Sequence, residues 1–132
     1  MTDKTTAQKT VLIVEDEHML NEAYQVILAT AGYKVLAAYD GKAALEMLED
    51  ESVSVDAILL DLRMPVLDGI GFLEAYQPLT RKNAPKIVVF SNFDMQKEID
   101  QAYDLGADKY MLKAWASPKE LTQLIKNLLN EK

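Results

Sequence analysis

The sequence predicts an α/β fold, a doubly wound parallel sheet of five strands covered on both faces by five helices. Short, near-continuous apolar runs alternate with longer segments of helical periodicity, which is the pattern of strands buried on both sides. Polar side chains follow the runs in a regular way: Glu15 and Asp16 after the first, Asp61 after the third, Ser91 after the fourth and Lys113 after the fifth. The C-terminal ends of strands in an open parallel sheet lie along one edge, so these residues are expected to converge although the outermost are almost a hundred positions apart.

The elements follow in order. Residues 11–14 read as the first strand and about 17–31 as a helix, with Met19, Ala23, Val26 and Ile27 as its apolar face and Gly32 placed to end it. Residues 35–39 read as the second strand. Asp40 then suits the N-cap of a short helix that uses Ala44, Met47 and Leu48. The third strand is expected over 56–60, and Asp68-Gly69 opens the third helix. Pro78 and Pro85 bracket a loop before the fourth strand, 86–90, and the fourth helix runs from about Met95 to Gly106. Lys109–Leu112 reads as the fifth strand. Ser117-Pro118-Lys119-Glu120 combines a capping box with proline at the first helical position, ahead of the stripe Leu121, Leu124, Ile125, Leu128 and Leu129. The division expected is a mobile tail over residues 1–9 and one domain over 10–132.

Size and charge narrow the function. A chain of 132 residues, 49% hydrophobic and 27% charged, fits one compact domain with a real core. The net charge of −7, with no long basic block, disfavours direct binding to nucleic acid or to an anionic membrane. The absence of cysteine excludes disulfides, thiolate metal sites and thiol nucleophiles. No secretory apolar core and no membrane-length run is present, so a cytoplasmic protein is expected.

Glu15, Asp16 and Asp61 together can hold a hard divalent cation such as Mg²⁺, and one of them can attack a phosphoryl group. The Ser91 hydroxyl and the Lys113 ammonium can stabilise the arriving oxygens. Other readings of single residues stay in view. Glu15-Asp16-Glu17 could simply favour a helix N-terminus, His18 reads as an exposed residue at a helix start, and the six methionines read as core filling. Tyr110 and Trp115 read as partly packed aromatics.

Val-Glu-Asp-Glu at 14–17, Leu-Asp-Leu-Arg-Met-Pro at 60–65 with Asp68-Gly69, Ser91, and Gly106-Ala107 through Tyr110 to Lys113 occur in this order at these strand ends. From about Thr10 to Leu129 the chain resembles the receiver domain of the two-component response-regulator family, in its stand-alone, single-domain form. The resemblance implies a flavodoxin-like strand order, 2-1-3-4-5. It implies that Asp61 accepts a phosphoryl group from a sensor histidine kinase or a histidine phosphotransfer protein. Asp16 and Asp61 would ligate Mg²⁺, with Mn²⁺ as a substitute, Glu15 would act mainly through a metal-bound water, and the Arg63 backbone carbonyl would be a further ligand. Lys113 and Ser91 would hold the phosphoryl oxygens. Ser91 and Tyr110 would form a switch that remodels the face of helix 4, strand 5 and helix 5, by which a separate target protein is controlled. Such a chain is not a metabolic enzyme; it catalyses its own aspartyl phosphorylation and dephosphorylation.

Two positions depart from the family pattern. Ala114 stands where a cis proline is usual, and a cis bond before a non-proline residue costs about 2.5–4 kcal/mol. Lys113–Ala114 is therefore expected to be trans, with a rearranged loop to Trp115. Asn92 replaces a small residue near the entrance to Asp61 and is expected to slow phosphoryl exchange, while Arg63 and Phe93 are the nearby positions that tune phosphoryl lifetime in the family. Three alternatives compete: a pseudo-receiver that binds its partner without phosphorylation, a phosphatase of the haloacid-dehalogenase kind, and a flavin carrier. The phosphatase family places Asp-x-Asp after its first strand, whereas here Leu62-Arg63 follows Asp61 after the third. Glu15-Asp16-Glu17 would repel the flavin phosphate.

Overall fold

The computed structural model describes residues 8–92 and 95–129. Strands and helices alternate as β1 (Thr10–Val14), α1 (His18–Thr30), β2 (Lys34–Ala38), α2 (Gly41–Glu49), β3 (Ala57–Leu60), α3 (Gly69–Tyr76), β4 (Lys86–Ser91), α4 (Gln96–Asp104), β5 (Lys109–Leu112) and α5 (Pro118–Leu128). Single 3₁₀ turns cover Pro78–Thr80 and Lys113–Trp115. All four strand pairings are parallel and the sheet order is β2-β1-β3-β4-β5, the doubly wound arrangement expected.

Strand side chains alternate between two cores, one on each face of the sheet. Leu12, Val14, Ile58, Leu60, Ile87 and Val89 join Phe72, Leu73 and Ala102 under α2, α3 and α4. Val11, Ile13, Ala57, Leu59, Val88 and Phe90 join Leu28, Leu121, Ile125 and Leu128 under α1 and α5. Burial on both faces explains why the strands read as continuous apolar runs. Among the described residues, no helix is long and apolar enough to cross a membrane.

Local chemistry sets the helix ends. The Asp40 carboxylate accepts from Ala43 N–H and that of Asp68 from Gly71 N–H, both at 2.8 Å. The Ser117 hydroxyl accepts from Glu120 N–H at 3.1 Å while the Glu120 carboxylate accepts from Ser117 N–H at 2.9 Å, completing the capping box. After α1 and α4 the chain turns at Gly32 and Gly106, with φ of 104° and 117°.

Of the expected face of α1, only Ile27 packs against the core. Met19 and Val26 are 84% and 65% exposed and Ala23 is exposed, whereas Asn21 and Leu28 are buried and Tyr24 and Ile27 are half-buried. A hydropathy pattern misses this because the inward stripe contains asparagine, whose amide hydrogen-bonds are met by buried carbonyls. Nor are all methionines core filling: Met95, like Met19, is exposed. The second strand begins and ends one residue earlier than expected. Tyr39 lies beyond it and stacks on the exposed His18 ring at 4.1 Å.

The β3–α3 loop is shaped by two close constraints. Val66 has φ of 68°, and Leu67 N–H donates to Pro65 O at 2.7 Å across it, a three-residue turn that costs a β-branched residue roughly 1–3 kcal/mol. Gly69 lies so near the end of β3 that a Cβ on it would stand 2.6 Å from the Asp61 carbonyl oxygen and 2.8 Å from Leu62 Cα. The backbone, not a flexible tip, would have to move. Gly69→Ala is therefore expected to lower stability by about 1–3 kcal/mol in chemical denaturation. A loss within error of zero would show that the loop relaxes freely around Asp61.

Candidate functional site

Parallel register builds the site. Val14 pairs with Leu60, so the next residues, Glu15 and Asp61, emerge side by side at the strand ends. Asp61 N–H donates to Val14 O at 3.1 Å, and Glu15 N–H donates to Ala38 O at the same distance. Ser91, the last residue of β4, pairs with Leu112, and Lys113 begins the following turn. Four strands thus deliver chemistry to one edge.

The Lys113 ammonium donates to Glu15 Oε1 and, at 3.1 Å, to Asp61 Oδ2. Its side chain is only 7% exposed. The remaining carboxylate oxygens also have partners: Glu15 Oε2 accepts from Glu17 N–H at 3.0 Å and Asp61 Oδ1 from Arg63 N–H at 3.3 Å. Burial pushes the Glu15 carboxyl above its usual range, and its bonds from Lys113 and from Glu17 N–H only partly reverse this. Burial alone would lower the Lys113 value, but its bond to Glu15 and the charges of Asp61 and Glu15 outweigh that and hold it above normal. The ammonium therefore stays charged at neutral pH.

Asp16 completes an acidic group. Glu15, Asp16 and Asp61 each offer a carboxylate oxygen within 4.8 Å of the others. Three carboxylates against one ammonium leave excess negative charge in a partly buried pocket, and oxygen-only donors suit Mg²⁺ or Mn²⁺.

The other expected residues divide. Ser91 is fully buried at the strand end and Asn92 is exposed just beyond it. Tyr110, opposite Val89, is half-buried against the core under α2, α3 and α4. The Arg63 guanidinium reaches across to α4 and pairs with Glu98 at 2.9 Å. Lys113–Ala114 is trans, as the missing proline predicts, and the chain enters the 3₁₀ turn there. Phe93 and the Trp115 side chain lie outside the described residues.

Residues 11–126 match the family model of the response regulator receiver domain. The chain belongs to the response regulator receiver domain family. Among its relatives, a probable transcriptional regulator ycf27 of Guillardia theta is 35% identical over 127 residues, 96% of this chain and 47% of that protein. The alkaline phosphatase synthesis transcriptional regulatory protein PhoP of Bacillus subtilis is 35% identical over 121 residues, 92% of this chain and 48% of that one. This receiver domain thus spans about half the length of the curated relatives it matches. A CheY-like receiver domain protein of Methanospirillum hungatei superposes with a TM-score of 0.85 at 26% identity, covering 94% of this chain and 95% of that chain.

Sequence reasoning missed three neighbours of the receiver site. Tyr24 on α1 packs edge-to-face on Phe90 at 5.2 Å, with burial pushing its hydroxyl pKa up. Glu98 holds Arg63, and Asn21 holds the backbone of Glu15. No local sequence signal announces any of them.

The three carboxylates repel one another, and a bound cation would relieve that repulsion. Mg²⁺ is expected to raise Tm at neutral pH, by about 3–5 °C for each 1 kcal/mol of binding free energy in a chain of this size. The gain should shrink as pH falls through the carboxylate range, because the ligands must be deprotonated. Asp16→Asn should raise the metal-free Tm and abolish the response to Mg²⁺. Equal Mg²⁺ responses in wild type and variant would contradict the site.

Proposed function

We propose that this receiver domain is a phosphorylation-driven signalling switch in which Asp61 is the phosphoryl acceptor. The single observation carrying the reading is the buried Lys113 ammonium bonded to both Glu15 and Asp61, with Asp16 beside them. That arrangement leaves one carboxylate able to attack while a neighbouring positive charge waits for the oxygens that arrive.

The donor is a phosphohistidine on a sensor kinase or phosphotransfer protein. An Asp61 carboxylate oxygen forms the new P–O bond as the P–N bond breaks, and the electron pair of that bond returns to the imidazole nitrogen. Lys113, anchored by Glu15, keeps contact with the site while Asp61 gives up a lone pair. Glu15, Asp16, Asp61 and the Arg63 backbone carbonyl are the residues that would hold Mg²⁺, which when bound neutralises phosphoryl oxygens that a triply acidic site would otherwise repel. Hydrolysis of the acyl phosphate by water then resets the carboxylate.

Output is a shift in population of one surface. Ser91 ends β4 and Tyr110 lies in the adjacent β5, so a hydrogen bond from Ser91 to the phosphoryl group draws on the same strand pair that carries the tyrosine. The Arg63–Glu98 pair adds a second connection, from the acceptor loop to the first turn of α4. Half-exposed on the Arg63 side, it contributes no more than about 1 kcal/mol to stability and is easily exchanged. The face of α4, β5 and α5 is the surface a protein target reads.

Incubation with acetyl phosphate and Mg²⁺ is expected to add one phosphoryl group by intact-protein mass, with none added without metal or in Asp61→Asn. A folded wild-type protein that gains nothing, even from a cognate kinase, would overturn this function. Asn92→Ala is expected to speed both gain and loss of the phosphoryl group in the same assay, because it opens the approach to Asp61. Unchanged rates would remove Asn92 from the entrance.

A further inference from the structure

Asn21 is fully buried, with 0% exposure, on the first turn of α1. Its amide nitrogen donates to Glu15 O at 3.0 Å and to Ala38 O at 3.2 Å. Its amide oxygen accepts from Gln25 Nε2 at 2.9 Å. Both Glu15 O and Ala38 O can only accept, so the amide orientation is fixed by chemistry. Ala38 O also takes Glu15 N–H, at 3.1 Å. Glu15 is therefore gripped at both ends of its backbone: its N–H by the end of β2, its C=O by Asn21, which is itself tied to the same β2 carbonyl.

The purpose of that clamp lies in what hangs from it. Glu15 O belongs to the peptide that joins Glu15 to Asp16, so the bond from Asn21 sets the plane from which the Asp16 side chain departs. Helix folding alone does not require it, since the first intrahelical bond, Asn21 N–H to Glu17 O at 2.9 Å, is made by backbone. A leucine would fill the volume more cheaply than a buried amide.

We infer that Asn21 is a positioning residue for the divalent cation: it fixes the Glu15–Asp16 peptide so that both carboxylates face Asp61 before the cation arrives. The inference rests on the metal reading of Glu15, Asp16 and Asp61 given above. Partners that orient metal ligands are typically worth about 10- to 100-fold in affinity, and Asn21 acts in that way through the backbone.

The test is Mg²⁺ affinity by calorimetry on the whole chain, with Tm measured in parallel, for wild type, Asn21→Leu, Asn21→Ala and Leu28→Ala. Leu28 is buried in the core seven positions further along the same helix, so it reports general damage to α1. Asn21→Leu and Asn21→Ala are expected to weaken Mg²⁺ binding about tenfold or more, while Leu28→Ala, despite an equal or larger fall in Tm, leaves it within twofold. In metal-free protein, hydrogen exchange at the Glu15 amide should quicken in the Asn21 variants relative to Leu12. Affinity retained in both Asn21 variants, or lost equally in Leu28→Ala, overturns the positioning role while leaving the metal site standing. Wild-type protein that takes up no Mg²⁺ overturns the metal reading and this inference with it.

Discussion

The ammonium of Lys113, 7% exposed between Glu15 and Asp61, is the contact on which the site depends. Two carboxylates this close at the end of a buried sheet would otherwise repel each other in a region of weak solvent screening. Removing one partner of a buried ion pair leaves uncompensated charge and costs about 3–5 kcal/mol in typical proteins. Lys113 makes the cluster tolerable, and it does so incompletely: Glu15 is still driven toward its protonated form by burial, and Asp16 adds a further negative charge nearby. The residual imbalance is what would favour a hard cation at the site.

The sheet makes that contact a matter of topology. Lys113 lies 98 positions from Glu15 and 52 from Asp61, yet no long loop is needed to bring them together. Strands β1 and β3 are neighbours and end in register, and β4 and β5 follow in order; each helix carries the chain back to the start of the next strand, so every strand ends at the same edge. The same layout connects the site to the elements beside it. The loop after Asp61 reaches α4 through Arg63 and Glu98, and the strand ending in Ser91 is hydrogen-bonded to the strand that carries Tyr110. A local change of charge at Asp61 would therefore bear on α4 through Arg63–Glu98 and on β5 through its pairing with β4.

Much of this was legible in the sequence because its signals are local. Continuous apolar runs marked the strands, Asp40, Asp68 and Ser117 marked helix starts, and the acid, hydroxyl and ammonium groups stood directly after the runs. The failures share a cause. On α1 the inward stripe includes Asn21, a polar residue whose burial makes sense only once the carbonyls of Glu15 and Ala38 are placed beside it. The strained φ of Val66 is imposed by the loop between Asp61 and α3, not by any preference of valine. The Arg63–Glu98 pair spans 35 positions and depends on where α4 begins, which periodicity locates only to within a few residues. Tertiary partners decided each case.

The most direct test of the account is chemical location of the phosphoryl group: borohydride reduction of the phosphorylated protein followed by peptide mapping, which turns an acyl phosphate on aspartate into homoserine. The account predicts homoserine at position 61 and at no other acidic position. Reduction at position 15 or 16, or a phosphoryl group that resists borohydride and resides elsewhere, would contradict it.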